Sequence, residues 1–129
     1  AKADALAAAD WTEATIAPVV AGFFYQPQPP AEMDRLRRIA LSASQAAAVE
    51  AAGSNARSRT FENLAAIRVS TMIVQGRHDR VRTPEHGAAM QERIPQCRLV
   101  VLERSGHTPQ LEEADAFHAA VMSFLTVAQ

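Results

Sequence analysis

Two apolar, β-branched runs constrain this chain more than any other feature. The first is Val69-Ser70-Thr71-Met72-Ile73-Val74-Gln75, which leads into Gly76-Arg77-His78-Asp79-Arg80-Val81. The second is Arg98-Leu99-Val100-Val101-Leu102-Glu103, which leads into Arg104-Ser105-Gly106-His107. Each reads as a strand ending in a glycine-containing loop, with an ionisable residue just past the glycine. Thr83-Pro84 between them supplies an N-cap and a first-turn proline for a helix that ends before Pro95. Two strands joined through a helix imply a parallel pair with a right-handed crossover. Loops at the carboxyl ends of such strands are where open α/β sheets place their chemistry. Asp79 and His107 stand on those two loops, which suggests a base and its orienting carboxylate.

The flanking segments read as helices. Residues 3 to 25 hold one or two, with an alanine-rich stretch at 3 to 9 and a second helix capped by Thr12. Pro18 marks a helix start or kink, and Pro27-Gln28-Pro29-Pro30 is an extended break. Residues 31 to 51 predict one long helix, with Gly53 just past its end and a polar loop to Arg59. Thr60 caps a short helix through Ile67. A last helix spans residues 109 to 126, with Leu111, Ala114, Phe117, Val121 and Leu125 as its apolar stripe. Glu112, Glu113 and Asp115 sit in its first turns, where acids are favoured.

With 48% hydrophobic residues the chain is globular. A net charge of −1 makes no electrostatic case for nucleic acid. Cys97 is the sole cysteine, so no internal disulfide forms. No signal peptide or membrane span is visible, and a cytoplasmic location is expected. No pair of histidines or cysteines has metal-ligand spacing, so neither metal nor cofactor is expected.

The set Gly76-Arg77-His78-Asp79-Arg80-Val81, Ile94-Pro95, Ser105-Gly106-His107, Glu112 and Phe117 resembles the C-terminal part of an α/β-hydrolase. The likeness is close over residues 64 to 126 and loose over the first 60. It implies a helical lid at 1–60, then the C-terminal part of the α/β-hydrolase core at 61–129: two parallel strands and their covering helices. In that family the chain order is nucleophile, acid, histidine. Asp79 would then be the acid and His107 the base. No G-x-S-x-G occurs, and none of the seven serines lies in a strand–elbow–helix context. The expected partner is therefore the N-terminal portion of the same hydrolase, carrying the nucleophile, with the lone strand pair needing a neighbour. The resemblance implies hydrolysis of an ester, amide, lactone or C–C bond through an acyl-enzyme, on a small-molecule substrate. The nucleophile could also be an aspartate. A non-catalytic binding or signalling protein on the same scaffold is the alternative.

Trp11, Phe23 and Phe24, with Val81 beside the acid, are the expected apolar wall of a substrate pocket. Lid packing is the competing reading for each aromatic. For Asp79 the competing role is a turn-former, or an ion-pair partner of Arg77, Arg80 or Arg82. His78 reads as an exposed loop residue, and His86 and His118 as helix-surface residues.

Overall fold

The computed structural model describes residues 7–127. The start of the alanine-rich helix expected at 3–9 lies outside these residues. The described chain forms two compact units. Among the described residues, one comprises 7–22 and 28–59 and the other 23–27 and 60–127.

The first unit is helical. Helix α1 (Glu13–Ala21) starts at Thr12, whose N–H donates to Thr15 Oγ1 at 3.1 Å. It carries Pro18 in its interior and buries Ile16 and Val20 against helix α2 (Pro30–Ser42). The single helix expected over 31–51 is two helices. Helix α2 stops at Ser42, Ala43 is extended, and helix α3 runs Gln45–Arg57. The cause is local. Ser44 is an N-cap whose side chain accepts the Ala47 N–H, while Ser42 Oγ turns back to the Ile39 carbonyl. Serine offers the backbone these alternative bonds and so divides helices. Gly53 lies inside α3, not past a helix end.

The second unit carries the sheet. A 3₁₀ segment (Thr60–Ala66) leads to strand β1 (Thr71–Gly76), helix α4 (Pro84–Gln91) and strand β2 (Cys97–Leu102). The strands pair in parallel, from Thr71 opposite Cys97 to Gly76 opposite Leu102. Helix α4 packs on both strands. Leu64, Ile94 and Leu102 are the buried apolar residues here, and Arg93 lies over the Phe61 ring at 4.4 Å.

The helix expected over 109–126 is interrupted. A single turn, α5 (Pro109–Glu112), is followed by Glu113 at φ −132°, ψ 53°, and then α6 (Ala114–Val127). The predicted stripe is correspondingly rotated. Phe117, Val121 and Phe124 are half-buried, whereas Leu111, Ala114 and Leu125 are exposed. No helix among the described residues is long and apolar enough to cross a membrane.

Candidate active site

Parallel pairing brings the loops after β1 and β2 to one end of the sheet. Gly76 ends β1, and its backbone lies against the Ser105–Gly106 peptide. A Cβ built on Gly76 would come within 1.9 Å of the Gly106 carbonyl oxygen. The His78 N–H donates to the Ser105 carbonyl at 2.9 Å, tying the two loops together.

On this platform Asp79 and His107 meet. His107 Nδ1 is 2.8 Å from Asp79 Oδ2, across a sequence separation of 28. Asp79 is buried, at 6% exposure. Its Oδ1 accepts the Val81 and Arg82 N–H groups at 2.7 and 2.8 Å, so the loop folds around the carboxylate. Burial pushes the Asp79 carboxyl up, but hydrogen bonds from the Arg82 N–H, His107 and the Val81 N–H outweigh it and hold it below its ordinary value. An ionised carboxylate only accepts, so the hydrogen must sit on His107 Nδ1. The lone pair of the ring is then on Nε2. The His107 side chain is 35% exposed and Nε2 makes no hydrogen bond among the described residues.

The ion-pair role for Asp79 is not what the geometry has. Arg77 turns to Glu103, with bonds of 2.9 and 2.7 Å, and Arg82 donates to the Val81 carbonyl. His78 differs from its expected exposed state. It is half-buried and stacks on Tyr25, with centroids 3.6 Å apart and planes at 9°. Ser105 is fully buried and its hydroxyl points at the Leu102 carbonyl, which leaves it no access to a substrate.

Of the expected pocket wall, Phe23 is the residue that touches His107. Its ring is 5.4 Å from the His107 ring, and its carbonyl accepts the His107 N–H at 2.7 Å. Phe24 is half-buried and its backbone passes beside Gly106. Val81 is half-buried, and its backbone serves Asp79. Trp11 belongs to the other unit, where its buried indole N–H has no hydrogen-bond partner among the described residues.

Sequence reasoning missed what holds this arrangement. Glu112, read as a helix-start acid, is a clamp. One carboxylate oxygen accepts the Tyr25 and Gln26 N–H groups at 2.6 and 2.9 Å, and the other accepts the Gly106 N–H at 2.7 Å. It thereby fixes both neighbours of the histidine ring, the Gly106–His107 loop and the Phe23–Pro27 segment. Glu113 does likewise for the Arg104 N–H at 2.8 Å. Serving these loops costs the helix its continuity at Glu113. Glu112→Ala is expected to destabilise the fold by about 3 kcal/mol, roughly 1 for each backbone donor left without its acceptor. A denaturant midpoint unchanged from the parent would show that water replaces the carboxylate without loss.

Residues 1–120 match a family model described as the alpha/beta hydrolase family. The chain belongs to the α/β-hydrolase family. It is 37% identical over 62 residues to 2-hydroxy-6-oxo-6-phenylhexa-2,4-dienoate hydrolase of Burkholderia cepacia, covering 48% of this chain and 22% of that protein. Its structure is similar to an esterase from Exiguobacterium antarcticum, with TM-score 0.83 and 25% identity over 88% of this chain and 42% of the esterase. It is also similar to a hydrolase from Pseudomonas aeruginosa, with TM-score 0.82 and 25% identity over 96% of this chain and 48% of that one. The chain thus spans less than half the length of these relatives, and its two strands with their helices are a partial α/β-hydrolase fold.

Proposed function

We propose that this chain supplies the acid and the general base of a hydrolase that works through an acyl-enzyme. The observation that carries the reading is the 2.8 Å bond between His107 Nδ1 and a buried, ionised Asp79, which leaves Nε2 without a hydrogen bond among the described residues. The nucleophile, a serine outside these 129 residues, attacks the substrate carbonyl carbon. Its proton passes to His107 Nε2. The leaving group takes that proton as its bond to the carbonyl breaks. Water then attacks the acyl-enzyme, with His107 again removing and returning the proton. Asp79 holds the ring in the required tautomer and stabilises imidazolium throughout. Backbone amides outside this chain hold the oxyanion.

The substrate is a small molecule with an ester, amide, lactone or oxo-acid carbonyl. The names of the Burkholderia hydrolase and the Exiguobacterium esterase support that class. Residues 1–60 serve as a lid, and Phe23, with its ring 5.4 Å from the His107 ring, is a wall residue of the pocket. The partner is the remaining portion of the hydrolase, which carries the nucleophile and extends the sheet from β1.

The test is labelling of the complete protein by a fluorophosphonate probe, together with turnover of a nitrophenyl ester. Label is expected on a serine outside this chain, and its rate is expected to depend on His107. Absence of both label and turnover in folded protein would sink the acyl-enzyme reading in favour of a binding module.

A further inference from the structure

Gln75 is a buried amide at the end of strand β1, just before the acid loop, at 7% exposure. An amide in that position is costly unless its hydrogen bonds are made. Gln75 Nε2 donates to the Arg82 carbonyl at 2.7 Å and to Asp79 Oδ2 at 3.2 Å. Both partners are acceptors, so only the nitrogen end fits there. The other end of the amide lies against α4, where a Cβ on Gly87 would come within 3.1 Å of Gln75 Oε1. The side chain is thus walled between the helix and the carboxylate.

We infer that Gln75 is a positioning residue for the Asp79–His107 pair, its amide holding Oδ2 where it accepts the Nδ1 hydrogen of His107. The inference rests on the hydrolase reading for its bearing on turnover. The division of labour on the carboxylate supports it. Oδ1 is occupied by the Val81 and Arg82 N–H groups, whereas Oδ2 is shared between His107 and Gln75. With the amide gone, His107 is the only side chain donating to Oδ2 among the described residues. The carboxylate then becomes a stronger acceptor, and imidazolium is held more tightly. A carboxyl at position 75 faces the Arg82 carbonyl and the buried Asp79 anion, so it is held protonated and its O–H replaces the amide N–H on Oδ2. The other charged groups nearby stay in place in both variants. These are Arg82, exposed Arg80, the Arg77–Glu103 pair, His78 on Tyr25, and Glu112 on the Gly106 N–H.

The experiment is titration of the His107 ring resonances in the full chain by NMR, assigned with His107→Gln. Relative to the parent, the His107 midpoint is expected to rise by about half a unit in Gln75→Met and by less in Gln75→Glu, whose protonated carboxyl still donates to Oδ2. In the parent chain the Gln75 side-chain amide protons are expected to exchange slowly and to shift as His107 titrates. A role in packing alone predicts neither the ordered rise nor the response of the amide. A folded Gln75→Met with an unmoved His107 midpoint would overturn the inference, as would an equal rise in both variants. Where the variants fail to fold, a freely exchanging Gln75 amide that ignores His107 protonation in the parent would overturn it equally. The ordered rise without any hydrolysis by the complete protein would uphold the role of Gln75 and overturn only the hydrolase reading.

Discussion

In the complete hydrolase, His107→Ala is expected to remove almost all turnover, and Asp79→Asn to lower kcat by about 10⁴-fold. The two losses have different causes. Alanine removes the base. Asparagine keeps a side chain of the same shape beside the Val81 and Arg82 N–H groups but turns the acceptor facing Nδ1 into a weaker partner or a donor. The imidazole then loses the tautomer that leaves a lone pair on Nε2. His107→Ala also removes the Nδ1 bond to buried Asp79, so its melting temperature should fall while the fold stays intact. Asp79 is buried, and its anion is stabilised by donated bonds, so Asp79→Asn should also lose part of that stabilisation at neutral pH. Steady-state kinetics with a nitrophenyl ester, paired with thermal melts, separate the two effects. Wild-type kcat in a folded variant would remove that residue from the mechanism.

Gly76→Ala is expected to destabilise the protein by about 3 kcal/mol or more and to part the two loops. The reason is space. No glycine among the described residues has a positive φ, so Gly76 is not required for an unusual backbone angle. Its Cβ would instead meet the Gly106 carbonyl oxygen at 1.9 Å and the Ser105 carbonyl oxygen at 2.6 Å. Both obstacles are main chain and belong to the peptide that positions His107. Relief requires β1 and the His107 loop to separate, which stretches the bond between His107 and Asp79. Gly87 is the natural control. A Cβ there meets Gln75 Oε1 at 3.1 Å and Leu99 Cδ1 at 3.2 Å, contacts far milder than those at Gly76 and with side-chain atoms only. Chemical denaturation should therefore rank Gly76→Ala well below Gly87→Ala, and equal midpoints would show that the loops yield freely.

Local chemistry was sufficient for the parts of this protein that depend on near neighbours in the chain. The apolar runs predict both strands, with their bounds shifted by one or two residues. Thr83-Pro84 places the start of α4, because a proline in the first turn needs no N–H bond. The glycine–acid and glycine–histidine endings of the two runs place Asp79 and His107 at one end of a parallel pair, and parallel pairing alone then brings them within reach. One local signal was legible but passed over: Ser42-Ala43-Ser44 divides what periodicity presents as one helix.

The rest was decided by tertiary structure. The bonds from Tyr25 and Gln26 to Glu112 span 87 and 86 residues, so no local window contains both ends. The acidic start of the last helix looks the same whether its carboxylates favour a helix end or satisfy a distant backbone. Only the path of the chain reveals the second use, and with it the break at Glu113 and the rotation of the apolar face to Phe117, Val121 and Phe124. Gln75 was hidden for the same reason. An amide in an apolar strand is neutral in pattern, and its meaning comes from the buried carboxylate that the acid loop folds back beside it. Sequence thus determined which backbone elements form and which two ionisable residues end them, through forces that act over a few residues. Tertiary structure decided which donors and acceptors hold those residues in place, because hydrogen bonds between distant segments exist only after the chain has folded.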